Sequence, residues 1–441
     1  MADHQAWIVA VDMGYGHQRA AYPLRHLAPT HRVLVANNYP GLPPRDFNVW
    51  NRGRRIYEFF SRLSTLPVLG GFFFSLLDSF QKLPPFYPHR DLSAANLQLR
   101  QIYGLLRRGW LADLVRFLNQ RRIPLITTFF TVAFAAEEHG FRGDIYVVIC
   151  DSDISRTWAP LNPGRSRIRY LAPCRRVVER LKLYGVPAKQ IFLTGFPLPQ
   201  ENIGDDLEIL RADMAERLIN LDPEKRYRSK YAETVKQFLK GIKIEARHHH
   251  PLTLTFAVGG AGAQRAIADD IIKSLKPKLL RREINLNLVA GTRPDVFRYF
   301  RGVISRHGVE PVLGENLRII FAREKHDYFR NFNIALRTTD VLWTKPSELV
   351  FYSALGLPII MAPSLGSQED FNRLWLKTIG AGISQNDPRY AHEWLFDWIN
   401  SGWLAEAAMS GYLDGRQFGV RNIMDAVFHG VQEPAADDSL L

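Results

Sequence analysis

The chain has 441 residues, 46% hydrophobic and 23% charged, which excludes a disordered chain and suits two domains of roughly 200 residues each. Two cysteines, Cys150 and Cys174, exclude a disulfide framework and point to a reducing compartment, and the N-terminal MADHQAW lacks the basic start and apolar core of a signal peptide. Net charge is +13; residues 1–125 hold 16 Lys and Arg against 7 Asp and Glu, so +9 of it sits there and implies an anionic partner beyond mere solubility.

Ala6 to Asp12 (AWIVAVD) reads as a buried parallel strand. Gly14, Gly16 and His17 follow, then a helical run to Leu27. A glycine loop between strand and helix lets backbone N–H groups approach an anion. Arg19 stands where G-x-G-x-x-G needs its third glycine, so this is no dinucleotide fingerprint. His17 reads either as a helix-start residue or as a neutral imidazole able to take a proton. His31 to Asn38 is a second strand. Residues 40–95 differ in kind: Arg52, Arg54, Arg55 and Arg62 interleave with Trp50, Tyr57, Phe59 and Phe60, and an apolar run, Leu66 to Leu77, follows. That run is shorter than the roughly 20 residues a bilayer span needs; it suits an interfacial membrane contact or a core helix.

Residues 96–122 predict one amphipathic helix, 123–130 a strand and 133–139 a short helix. The strand Ile145 to Asp151 ends in Asp151-Ser-Asp-Ile-Ser-Arg156-Thr-Trp158. Asp151 suits orienting a hydroxyl or a histidine, or capping a helix; Arg156 suits gripping an acidic head group. A strand (Ile168 to Pro173), a helix (Arg175 to Tyr184) and Gly185-Val-Pro through Thr194-Gly-Phe-Pro197 close the first half.

Residues 199–250 read as a charged helical linker. His248, His249 and His250 are consecutive, point three ways and make no metal site. The strand Leu252 to Val258 runs into Gly259-Gly260-Ala261-Gly262-Ala263-Gln264, which opens a helix; backbone donors and the helix dipole there form an anion site. Ile284 to Ala290, Leu317 to Ala322 and Asp340 to Thr344 add strands. Then come Lys345-Pro-Ser-Glu348, an apolar helix closed by Gly356, a strand Leu357 to Ala362, and a polar loop, Gly366 to Asn372, with Gln368 and Glu369. Strand, helix, strand implies parallel strands, and ligands of such sheets bind outside the strands' carboxyl ends. A helix with Trp394 and Trp398 and helices over 403–428 end the chain.

These motifs resemble the GT-B glycosyltransferases, in the group holding the monogalactosyldiacylglycerol synthases, the processive diacylglycerol glucosyltransferases and the lipid-II-forming N-acetylglucosaminyltransferase. The family's Gly-Gly-Gly-His-x-x-x-Ala loop is similar to Gly14 through Ala21, and its Thr-Asp…Trp segment to Asp151 and Trp158. Its Lys-Pro-Gly-Gly turn, Gly-x-Pro and Gly-Gln-Glu-x-x-Asn are similar to Lys345-Pro346, Gly356-Leu-Pro358 and Gln368-Glu369 with Asn372. Three features depart. Ser347-Glu348 replaces a glycine pair. The family's ribose-binding Glu falls near Phe351, with Glu348 one turn earlier. Arg156 stands near the place of a family His.

The resemblance implies an α/β, GT-B chain: two Rossmann-like parallel-sheet domains facing a central cleft. Residues 1–198 form the acceptor domain with a membrane-associating insert at 40–95, and 199–250 a linker. Residues 251–402 form the nucleotide-sugar domain, and 403–441 cross back to the first. The implied reaction moves a sugar from a nucleotide-diphosphate sugar, a UDP-sugar, to a hydroxyl of a lipid or lipid-linked acceptor. It uses no metal and no cofactor beyond the donor. His17 and Asp151 are the implied catalytic residues. Gly260, Ala261, Gly262, Ala263, Gln264, Lys345, Glu348, Gln368, Glu369 and Asn372 are implied to hold the donor; Gly14, Gly16, Arg156 and Trp158 meet the acceptor. The expected partners are the donor, a lipid acceptor and an anionic membrane surface, with no nucleic acid; the expected location is cytoplasmic, peripheral on the inner membrane face. Two readings compete: a GT-B nucleotide-sugar epimerase, which has no need of the arginine-rich 50–90 segment, and a non-catalytic membrane- or nucleic-acid-binding relative.

Overall fold

The computed structural model describes residues 4–52, 83–240, 242, 250–259, 262, 264–364 and 366–431. The run from Arg54 to Leu77, expected to meet a membrane, and Gly260, Ala261 and Ala263, expected to hold the donor, lie outside the described residues. The chain divides into two compact units, one of Met1–Pro197, Leu365–Asn372 and Phe418–Leu441, the other of Leu198–Ser364 and Arg373–Gln417.

The first unit holds a sheet of β1 (Trp7–Ala10), β2 (Leu34–Val35), β3 (Leu125–Thr127), β4 (Ile145–Val148), β5 (Arg169–Ala172) and β6 (Ile191–Leu193). Its order is β2-β1-β3-β4-β5-β6 and every pairing is parallel. The central strands are continuous apolar runs because both faces are covered. Val9, Leu125, Val147, Tyr170 and Val177 share one core. Helix Phe130–Glu138 buries seven of its nine residues and is apolar all round. Where one helix was predicted over 96–122 there are two, Leu97–Arg107 and Ala112–Leu118. Gly109 (φ 92) and Leu111 (φ 63) break the run in the left-handed region. The break is stable because Leu111 is buried and its N–H donates to Asp46 Oδ2 at 3.0 Å. Trp50, expected beside a membrane, packs in this core edge-on to Trp110 at 5.0 Å. The chain's last described segment belongs here too: Asn422 Nδ2 donates to Thr194 O at 2.9 Å.

The second unit holds β7 (Leu252–Ala257), β8 (Ile284–Gly291), β9 (Leu317–Phe321), β10 (Val341–Thr344), β11 (Ile359–Met361) and β12 (Gly382–Ser384). The order is β12-β11-β10-β7-β8-β9, again all parallel. Numbered within the unit this is 6-5-4-1-2-3, the doubly wound Rossmann order read from its other edge. Phe256, Leu286, Ile271 and Trp343 lie at its centre. Within residues 199–250, expected as a linker, helix Glu208–Leu221 sends Met214, Leu218 and Leu221 into that core. The apolar helix after Lys345 is a 3-10 helix, Glu348–Leu355, closed by Gly356 in the left-handed region (φ 66). The polar loop at 366–372 is instead the start of an α-helix, Ser367–Thr378, with Glu369 and Asp370 suiting its positive end. Both units are thus Rossmann-like parallel-sheet bodies, as the fold class requires. Among the described residues no helix is long and apolar enough to cross a membrane.

Candidate functional site

In each sheet the strand order reverses at one place, between β1 and β3 in the first unit and between β7 and β10 in the second. A crevice forms outside the carboxyl ends at such a switch point.

At the first switch point the loop after β1 is tied to the loop after β2: Asp12 N–H donates to Asn37 Oδ1 at 2.7 Å, and Asn37 Nδ2 to Asp12 O at 3.2 Å. Gly14 (φ 92) is exposed, and Gly16 and His17 open helix Gly16–Ala21. The half-buried His17 ring stands edge-on to Phe129, which follows β3, at 4.9 Å, and lies 6.2 Å from Trp158. Trp158 is buried against Phe130 at 5.1 Å. His17 and Trp158, both expected on the acceptor side, therefore stand near each other, with Trp158 as a buried wall.

Asp151, after β4, meets a residue 221 positions away. Asn372 Nδ2 donates to Asp151 Oδ1 at 3.0 Å, and Ser152 N–H donates to Asn372 Oδ1 at 2.8 Å. Asn372, expected to touch the donor, is fully buried and acts as a latch on the β4 loop. Gln368 and Glu369 sit half-buried in the first turn of the same helix.

Arg156, expected to grip an acidic head group, is buried and otherwise employed. Nε and Nη2 donate to Ser93 O (2.9 and 2.7 Å), Nη1 to Ala159 O (2.6 Å) and Nη2 also to Pro160 O (3.0 Å). Four of its five N–H donors are spent on backbone carbonyls, so it staples two chain segments together. Asp153 anchors the loop bearing Asp151. Its carboxylate accepts from Arg180 Nε (2.8 Å), Arg180 Nη2 (2.9 Å) and Arg176 Nε (2.9 Å). Asp153 and Arg180 are 1% and 0% exposed at their side chains. Arg176 and Arg180, four apart on one helix face, are the signal that called for a shared carboxylate.

At the second switch point Gly259 follows β7 and Lys345 follows β10, its neighbour in the sheet. Gly259 has φ 71, and a Cβ there would stand 2.8 Å from Lys345 Cε. The left-handed φ favours glycine here, and the lysine stem lies against the space it leaves. Gly262 is likewise left-handed (φ 65) and backs onto Val296. Gln264 Nε2 donates to Pro363 O at 2.6 Å, which brings in the loop after β11. Loops from three adjacent strands thus meet. The helix begins at Ile267, later than the glycine loop predicts, with Asp269 and Asp270 in its first turn. Asp269 is matched by His307 (2.5 Å) and Arg306 (2.8 Å). Arg293 and Arg265 flank Asp295 at 3.0 and 3.1 Å, and the hydrogen bond from Arg293 foremost holds that carboxyl below its usual range. Glu348 is buried at the start of its 3-10 helix. Phe351, where the family's ribose-binding Glu falls, packs on Trp375 at 4.9 Å. Among the described residues no three His, Cys, Asp or Glu side chains are grouped to hold a metal ion.

A family model of a domain of unknown function, DUF6938, matches residues 242–389. No curated protein matches the chain. Among solved structures, MurG of Acinetobacter baumannii is similar at 14% identity, with 95% of this chain and 98% of that one covered and a TM-score of 0.45. A UDP-GlcNAc 2-epimerase from Neisseria meningitidis bound to UDP-GlcNAc is similar at 11% identity, over 78% of this chain and 83% of that one, with a TM-score of 0.44. A glycosyltransferase from Rickettsia africae is similar at 9% identity, over 97% and 100% of the two chains, with a TM-score of 0.40. At these identities and TM-scores the likeness assigns no activity.

Proposed function

We propose that this protein is a GT-B glycosyltransferase that moves a sugar from a UDP-sugar to a hydroxyl of a lipid or lipid-linked acceptor at the inner face of a membrane. The observation that carries the reading is the second switch point, where Lys345 lies across the left-handed Gly259. A diphosphate asks for backbone N–H donors beside a cation, and in this reading the glycine loop and Lys345 are the groups that meet it. As the bond from the sugar's anomeric carbon to the diphosphate oxygen breaks, charge grows on that oxygen. Lys345 and the glycine-loop N–H groups stabilise it without a metal or any other cofactor. Gln264, Glu348, Gln368 and Glu369 complete the donor site in this reading. The acceptor enters beside Gly14 and Gly16. Its oxygen forms the new bond to the anomeric carbon while its proton passes to His17, which is partly shielded by Phe129 and Trp158. Asp151, fixed by Asn372, orients that hydroxyl.

The test is transfer of label from a panel of radioactive nucleotide sugars into extracted membrane lipid. The expected result is label in the organic phase, reduced about 10²- to 10⁴-fold by His17→Ala. Label recovered only as free sugar or as an epimerised donor overturns the transferase and favours the epimerase.

A further inference from the structure

The first unit also carries a cavity of about 1060 Å³ that shares no residue with its switch point. Ser93, Arg100, Tyr103, Arg107, Asn162 and Arg165 line it. Arg165 precedes β5, and Gly185, also in the wall, precedes β6, so the cavity reaches the amino ends of strands whose carboxyl ends face the other way.

Its charge is unbalanced. Arg107 pairs with Glu138 at 3.3 Å. Arg100 and Arg165 are exposed and have no acidic partner among the described residues. Behind the wall lies Arg156, 6% exposed, whose guanidinium donates to the carbonyls of Ser93, Ala159 and Pro160, with Asp91 as a more distant counter-charge. The nearby acids are held by neutral donors and make no ion pair with Arg100 or Arg165: Glu137 accepts from Ser166 Oγ (2.9 Å) and Arg167 N–H (2.7 Å), and Asp91 accepts from Ser93 N–H (2.8 Å) while lying near enough to Arg156 to feel its charge. Among the described residues Arg100 and Arg165 therefore face the cavity without an ion-pair partner, and a concave wall concentrates their field.

The walls are also fixed in advance. Arg156 ties residue 93 to residues 159 and 160. Leu92 N–H donates to Leu183 O at 2.9 Å, and Asn96 caps helix Leu97–Arg107 through Leu99 N–H at 2.8 Å. Tyr103, buried, stacks on Phe134 at 5.4 Å. A preformed basic cavity needs little ordering to take a ligand.

We propose that this cavity binds a ligand bearing a phosphomonoester or diphosphate, at a site separate from the one where sugar is transferred. The proposal does not depend on the transferase reading. The phosphate can belong to a soluble metabolite or to a lipid head group, and the test separates the two.

The full chain carrying Lys345→Ala, which weakens the other anion site, is titrated with inorganic pyrophosphate at low salt. The same protein is floated with phosphatidylcholine vesicles containing phosphatidic acid. Both experiments are repeated with Arg100→Glu and Arg165→Glu added, two exposed changes that leave the core intact. The expected result is binding that the reversals weaken about tenfold or more, since each removes a charge-assisted contact. Salt should weaken it as well. A reversal-sensitive pyrophosphate titration assigns the soluble source, and reversal-sensitive flotation with no pyrophosphate binding assigns the head group. If neither probe binds, or if the reversals change neither, the proposal fails.

Discussion

The switch point of the first unit is lined by rings and closed by hydrogen bonds; that of the second is lined by glycine backbone and a lysine. His17, Phe129 and Trp158 stand together in one, with Asp151 latched to Asn372. Gly259, Gly262 and Lys345 stand together in the other. Two parallel sheets of six strands therefore offer different chemistry at the same topological position. The first sets a histidine among aromatic rings. The second sets a lysine against left-handed glycines. The lesson is that the fold sets where a site lies, and the loop residues set what it can take.

The largest way to break the comparison is to loosen the first unit alone. Asp153→Ala leaves Arg180 buried without its carboxylate, and removing one partner of a buried pair costs about 3–5 kcal/mol. Hydrogen exchange should show lost protection over β4–β6 and unchanged protection over β7–β12.

The second unit has its own weak point, and it depends on pH. Asp340 is fully buried; it accepts from Thr253 N–H (2.8 Å) and Asn220 Nδ2 (2.9 Å), with His250 Nδ1 at 3.6 Å and the buried Arg217 nearby. Burial lifts its pKa from 3.8 to about 7. The folded state therefore favours the protonated acid. That contribution is complete below the unfolded value and is lost as pH rises through about 7. Stability of the second unit should fall between about pH 4 and 7, by at most about 1.4 kcal/mol per pH unit, and level off above. Asp340→Asn should flatten the slope. Exposed carboxyls lowered by arginine partners, such as Glu283 at about 2, act in the opposite sense and only at more acidic pH.

The smallest effect sharpens the first unit's latch. Asn372→Asp sets a carboxylate against Asp151 and should cost about 1–3 kcal/mol. Adding Asp151→Asn restores a donor and an acceptor in exchanged places. A double-mutant cycle by denaturant unfolding should return a coupling above about 0.5 kcal/mol; simple addition of the two losses would remove the latch.

Much of the fold was legible because buried parallel strands are continuous apolar runs, so WIVA, IYVV and LTLTFA declared themselves. The switch-point loops were legible because glycines, His17 and Lys345 stand directly after such runs. What stayed hidden depends on partners distant in sequence. Leu111 breaks a helix because Asp46 receives its N–H, and no local period reports that. Arg156 looked like a head-group ligand until Ser93, Ala159 and Pro160 took its donors. Asn372 looked like a donor contact until Asp151 and Ser152 claimed its amide. The short strand β12, Gly382–Ser384, carries too little apolar run to stand out.

The central claim is that the second unit's loops hold a nucleotide diphosphate while His17 serves another substrate. Isothermal titration with uridine diphosphate tests it most directly. The account predicts binding that Lys345→Ala weakens about tenfold or more and His17→Ala leaves unchanged. No binding, or equal affinity with and without the lysine, would contradict it.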